Sequence, residues 1–228
     1  MLSCTKESRF LDRTITVADH SYRYRVWLPP HYSKVHRWPV VLYLHGADQR
    51  GDDNEKQLTA GLPVTLTKSP VLYKAIVVIP QSSEKHEWYG DMETQALAAL
   101  EQTIREFRGD RRRLYVTGTS IGGSGTWYLA RHHRWAAAMP VCGGVSRSDP
   151  FPVDPPPDLA RIVGAPDPHA AMAEAVGSTP IWIFGNDPSS RAMAAALGNR
   201  ARYSPGACEQ AYGDEGVVKW MMGQRKKR

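Results

Sequence analysis

The chain has 228 residues, 42% of them hydrophobic and 23% charged, with a formal net charge of +6. That suits one domain spanning 1–228 with a substantial core, and no run approaches the ~18 to 20 apolar residues that a membrane span needs. The opening residues lack the apolar stretch of a signal peptide, so the expectation is a soluble, untargeted chain, either cytoplasmic or exported with its signal removed.

From the N-terminal side, 13–17 and 22–28 are rich in β-branched and aromatic residues and flank Ala18-Asp19-His20-Ser21, which predicts an opening antiparallel hairpin ended by Pro29-Pro30. Residues 39–44 and 75–80 are nearly continuous in apolar side chains, as expected of parallel strands covered on both faces. Between Glu93 and Phe107, Leu97, Leu100, Ile104 and Phe107 recur at helical spacing, with Asp91 as the expected N-cap and Gly109 as the stop. A strand at 114–117 follows, then a glycine-rich turn, a helix, and further strands at 136–142, 181–184 and 201–203. Helices are expected at 189–197 and 215–224. Strands alternating with helices predict an α/β fold, a mostly parallel sheet with helices on both faces.

Asp149 to Pro157 carries five prolines and cannot continue a helix or central strand. It belongs to an insertion at about 146–178 that ends in an alanine-rich helical stretch near Val176. The insertion lies where ligands bind in open α/β sheets, so it reads as a partial lid or as a plain surface loop.

Gly118-Thr119-Ser120-Ile121-Gly122-Gly123 stands between a predicted strand and a predicted helix. In that context Gly-x-Ser-x-Gly is a nucleophile elbow, a strained turn that leaves the serine hydroxyl exposed at the sheet edge. There is no His-Glu-x-x-His, no calcium-loop pattern and no phosphate-loop pattern, so no metal and no cofactor are expected. Cys4, Cys142 and Cys208 are odd in number and show no Cys-x-x-Cys spacing, which predicts reduced thiols, Cys142 buried after its strand and Cys208 partly exposed in a loop. The basic clusters Arg111-Arg112-Arg113 and Arg225-Lys226-Lys227-Arg228 carry no interleaved aromatics and read as a solvated face and a frayed tail, so no nucleic-acid partner is expected.

Leu44-His45-Gly46-Ala47, Arg50-Gly51-Asp52-Asp53-Asn54, Trp88-Tyr89-Gly90-Asp91, Tyr115 to Leu129, Pro140-Val141-Cys142-Gly143-Gly144 and Thr179 to Gly185 together resemble the α/β-hydrolase superfamily. Within it, they resemble the small serine esterases of the carboxylesterase, polyhydroxybutyrate-depolymerase-like and predicted-peptidase group. The resemblance implies Ser120 as the nucleophile, with the backbone N–H groups of Ala47 and Ile121 as the oxyanion hole. It implies Asp187 as the acid, although the His-Gly pair before it and the Val-Pro pair after it are missing and a turn residue is the alternative. Trp88 and Tyr89 stand as an aromatic wall for the acyl group or as core residues.

The histidine of the triad belongs to a Gly-His loop before the last helix, and here that region reads Tyr203-Ser204-Pro205-Gly206-Ala207-Cys208-Glu209-Gln210-Ala211-Tyr212. No histidine follows His169, which leaves His169 and His86 as candidate substitute bases. The expected function is a serine carboxylic-ester hydrolase acting on short-acyl, acetyl or feruloyl-type esters, small or polymer-linked. The alternative is a hydrolase-fold binding or scaffold protein that has lost efficient catalysis.

Overall fold

The computed structural model describes residues 10–145 and 154–226. The hairpin forms as β1 (Phe10–Val17) and β2 (His20–Trp27), joined by Ala18 and Asp19, both at positive φ as a two-residue hairpin turn requires. Then come β3 (Trp38–Leu44), α1 (Leu62–Lys68), β4 (Ile76–Pro80), α2 (Asp91–Glu106) and β5 (Gly109–Thr119). The chain continues through α3 (Ile121–Ala130), β6 (Ala137–Val141), α4 (Pro157–Val163), α5 (Pro168–Ala175) and β7 (Ile181–Phe184). It closes with α6 (Pro188–Leu197), β8 (Ala201–Ser204) and α7 (Glu215–Gly223).

One eight-stranded sheet runs β1-β2-β4-β3-β5-β6-β7-β8. β1 with β2 and β2 with β4 are antiparallel, and the remaining pairs are parallel. Successive side chains of a strand serve opposite faces. Val40, Leu42 and Leu44 of β3 belong to one core cluster with side chains of α2, α3, α5 and α6, while Val41 and Tyr43 belong to a second with side chains of α1 and α7. Both faces are therefore covered, and this is why β3 and β4 are nearly all apolar.

Several elements differ from expectation. Gly90, at φ 60°, caps α2, and Asp91 is the first residue of the helix rather than its cap. β5 begins at Gly109, which continues the chain into a strand and pairs with Trp38 instead of ending in a loop. α1 is too short to show a periodic signal. In the insertion, residues 146–153 lie outside the described residues, but Pro157 opens α4, because a proline in the first turn loses no hydrogen bond the helix would make. Leu159 of α4 and Met172, Ala173 and Val176 of the α5 region are buried in the main core, so 157–176 is packed structure rather than a plain loop. The C-terminal segment is docked as far as Lys226, whose N–H donates to the Arg112 carbonyl at 2.9 Å while Arg225 pairs with Asp110 at 3.3 Å. The frayed reading fails for these two residues because β5 offers them a carbonyl and a carboxylate.

Candidate active site

Register places the C-terminal ends of three parallel strands side by side. Leu44 of β3 pairs with Gly118 of β5, and Thr119 of β5 pairs with Val141 of β6. The segments that follow, at 45–49, 120–123 and 142–145, meet at one edge of the sheet.

Ser120 occupies the turn between β5 and α3 with φ 59° and ψ −121°, a conformation that is costly for any residue with a side chain. It persists because both neighbours are held. The Ser120 N–H donates to the Val141 carbonyl at 3.0 Å, and its own carbonyl accepts from the Ser124 N–H at 3.0 Å. Close backbone packing accounts for the flanking glycines. A Cβ on Gly118 would lie 2.3 Å from the Gly122 carbonyl oxygen, and one on Gly122 would lie 1.9 Å from that of Leu44. The Ser120 side chain is exposed.

The segment after β3 comes up beside it. A Cβ built on Gly46 would lie 3.7 Å from the Cβ of Ser120. His45, wholly buried, orients this segment: its Nε2 accepts from the Ser82 N–H at 2.9 Å, which puts the proton on Nδ1, and Nδ1–H donates to the Gly46 carbonyl at 2.7 Å. That carbonyl belongs to the same trans peptide as the Ala47 N–H, so fixing one end directs the other the opposite way. The preceding peptide is held too, since Trp88 Nε1–H donates to the His45 carbonyl at 3.0 Å and the Gly46 N–H donates to Gln49 Oε1 at 3.2 Å. Burial pushes the imidazole down to about 4, so it stays neutral at physiological pH.

The Ala47 and Ile121 N–H groups have no acceptor among the described residues. Ile121 is the first residue of α3, where orphan donors and the positive end of the helix dipole coincide. Two unused donors therefore flank an exposed serine, which is the arrangement a developing oxyanion requires.

Asp187 caps α6. Its Oδ1 accepts from the Ser190 N–H at 2.8 Å and its Oδ2 from the Ser190 hydroxyl at 2.6 Å. Partial burial pushes the carboxyl up, but the Ser190 hydrogen bonds outweigh it and hold the group below the usual range. No histidine bonds to it among the described residues. His169 Nε2 lies 3.1 Å from the Ser189 hydroxyl, which in turn accepts from the Val145 N–H at 3.3 Å. His86 turns its Nδ1 back on its own loop, 3.1 Å from the Ser83 hydroxyl and 2.9 Å from the Glu84 carbonyl. Neither ring is hydrogen-bonded to Ser120. Trp88 and Tyr89 are buried, Trp88 against Gly125 and His45 and Tyr89 edge-on to Tyr128, so Trp88 offers no surface for an acyl group and serves as a prop for the His45 peptide.

The cysteine expectation is overturned. Cys142 and Cys208 form a disulfide, with Cα atoms 5.9 Å apart and a sequence separation of 66. Parity misleads because Cys4 lies outside the pair, and spacing carries no signal because the pairing is made by the sheet. Cys142 follows Val141, the residue that accepts from Ser120, and its own N–H donates to the Phe184 carbonyl at 2.7 Å. The bridge thus ties the segment after β8, where the triad histidine was sought, directly to the site edge. Four residues on, Tyr212 is fully buried beneath β5. Its hydroxyl accepts from the Thr119 hydroxyl at 3.3 Å and donates to the Thr117 hydroxyl at 3.1 Å, which in turn donates to the Met139 carbonyl at 2.6 Å. Tyr212, Gln49 and Ser82 support the site although no motif singles them out; their roles arise from contacts across the fold.

Among the described residues no group of three or more potential ligands is placed to hold a metal ion, and no helix is long and apolar enough to cross a membrane.

No protein-family model matches the chain. It is 30% identical over 140 residues to a carboxylic ester hydrolase of Gibberella moniliformis (strain M3125 / FGSC 7600), a match covering 51% of this chain and 24% of that protein. The chain thus spans about a quarter of the curated relative that it matches. Among solved structures it is similar to a thermostable esterase, with a TM-score of 0.76 and 23% identity over 96% of this chain and 63% of the other. It is also similar to the fluorophosphonate-binding serine hydrolase F of Staphylococcus aureus (TM-score 0.67, 16% identity, 94% and 98% covered). A third is a feruloyl esterase module from Clostridium thermocellum complexed with sinapinate (TM-score 0.61, 15% identity, 96% and 90% covered). With the strand order and the elbow after β5, these likenesses show that the chain has the α/β-hydrolase fold.

Proposed function

We propose that this chain is a serine carboxylic-ester hydrolase that forms an acyl-enzyme on Ser120. The observation that carries the reading is an exposed serine on a strained elbow between two acceptor-free N–H groups, those of Ala47 and Ile121. Ser120 Oγ attacks the ester carbonyl carbon, its proton is lost, and the two N–H groups hold the charge that develops on the carbonyl oxygen. The alcohol leaves with a proton, and water then releases the acid and restores Ser120. Short-acyl, acetyl and feruloyl-type esters are the proposed substrates, supported by the carboxylic ester hydrolase relative and the feruloyl esterase module. The packed part of the insertion, 157–176, is proposed to border the acyl group, with His169 of α5 reaching the site edge through the Ser189 and Val145 contacts.

Since no histidine is bonded to Ser120 among the described residues, this reading assigns deprotonation to solvent and expects slow turnover. Losing the histidine of a comparable enzyme costs about 10⁶ in kcat, while oxyanion stabilisation and binding retain roughly 10³ to 10⁴ over water. The same absence, with the Cys142–Cys208 bridge occupying the histidine's segment, favours a second reading, a binding or scaffold protein on a hydrolase frame. A fluorophosphonate probe and a p-nitrophenyl acetate assay, run beside Ser120→Ala, separate the two. Labelling at Ser120 with slow turnover that vanishes in the variant supports the esterase. Turnover that survives the variant refutes the nucleophile, and absence of both labelling and turnover leaves the scaffold reading standing.

A further inference from the structure

At the opposite edge of the sheet from Ser120, where β3 and β5 begin, a cavity of about 200 Å³ is lined by Arg37, Arg105, Arg108 and Arg111 with Ile104 and Gly109. The four arginines come from separate places: the lead into β3, the last turn of α2, the turn after α2 and the start of β5. Cations suit the C-terminal end of a helix, which accounts for Arg105. It does not account for three further arginines lining the same cavity from outside the helix.

Of the four, only Arg111 is met by a carboxylate among the described residues. Glu101 accepts from Arg111 at 2.6 and 3.2 Å and is shared with Arg134. Asp110 is occupied by Arg113 and Arg225 at 2.8 and 3.3 Å. Arg108 spends one nitrogen on the Lys34 carbonyl at 3.0 Å. Among the described residues Arg37, Arg105 and Arg108 have no ion-pair partner, and all three are exposed. Like charges brought together repel unless an anion joins them, and the planar guanidinium fork matches a tetrahedral oxyanion in bidentate fashion.

We propose that this cavity is an oxyanion-binding site, taking a phosphate or sulfate group through Arg37, Arg105 and Arg108, with the Glu101-paired Arg111 at its border. It stands apart from the esterase chemistry and is independent of it. The group is either a free anion or one carried on a polymer, and the two sources differ in the test.

Thermal unfolding is followed in sodium phosphate, in dextran sulfate, and in sodium chloride at matched ionic strength. The comparison variant is the double substitution Arg37→Ala with Arg105→Ala, which removes no side-chain hydrogen bond among the described residues. At a hundredfold excess over Kd, phosphate should raise Tm by about 5 to 10 °C over the chloride control. The double variant should lose that rise, with its far-UV circular dichroism and p-nitrophenyl acetate rate unchanged. Stabilisation by dextran sulfate alone, lost in the same variant, supports the site and assigns the group to a polymer. A Tm that follows ionic strength only, or a rise that persists in the double variant, overturns the proposal.

Discussion

Opening the Cys142–Cys208 bridge should cost the fold a large part of its stability. The bridge closes a loop with a sequence separation of 66, and the chain-entropy relation assigns such a loop about 4 kcal/mol at 25 °C through restriction of the unfolded chain. For a domain of this size each kcal/mol moves Tm by roughly 2 to 4 °C, so reduction should lower Tm by roughly 8 to 17 °C. The assay is calorimetric unfolding of the wild type with and without a phosphine reductant, beside Cys142→Ala with Cys208→Ala. The reduced wild type and the double variant should unfold together, and the reductant should leave the double variant unmoved. Thiol titration of the unreduced, denatured chain should find at most one of the three cysteines reactive. Because the Ser120 N–H bonds to the Val141 carbonyl and not to Cys142, fluorophosphonate labelling should persist in Cys208→Ala below its lowered Tm. A wild type whose Tm is indifferent to reductant, or two or more free thiols, would refute the reasoning.

Further predictions concern the site's supports. His45 is pushed down to about 4 by burial, from an ordinary value of 6.5, so the unfolded chain takes up the proton first as pH falls. Stability is then whole above about pH 6.5 and declines towards pH 4 by about 3 kcal/mol from this residue. Urea unfolding across that range should show the decline, and a His45→Asn variant with an unaltered slope would contradict it. Gly122→Ala places a methyl group 1.9 Å from the Leu44 carbonyl oxygen, a backbone atom that cannot move aside, and should destabilise by about 3 kcal/mol or more. Wild-type urea midpoints in that variant would show the elbow less tightly packed than described. His169→Ala and His86→Ala should each leave kcat for p-nitrophenyl acetate within about twofold, since both rings are engaged away from Ser120. A hundredfold loss in either would identify the missing base.

Features that depend on neighbours along the chain were legible. The apolar runs of β3 and β4 reflect burial on both faces, and Gly118, Gly122 and Gly123 mark the elbow around Ser120 because close backbone contact excludes side chains at those three positions. His45-Gly46 was legible, through the resemblance, as the lead to the proposed oxyanion donor, but not the tautomer lock, which needs the Ser82 N–H from beyond β4. Trp88 could not be assigned to wall or core from its position, because burial is a property of the packed molecule. α4 was hidden in a proline run, since a proline that blocks a helix and one that opens it are the same residue seen from different sides.

Short-range order in this protein is therefore written in the chain: strand, elbow, helix, the alternating α/β succession, and an exposed serine on a strained turn, all set by steric and hydrophobic preferences over a few residues. Pairings between distant positions were settled when β5, β6 and β7 came together. Folding brought Cys142 to Cys208, set Tyr212 beneath Thr119, and gathered four arginines at the far edge. No local pattern encodes these contacts, because each depends on the register of strands that are far apart in sequence.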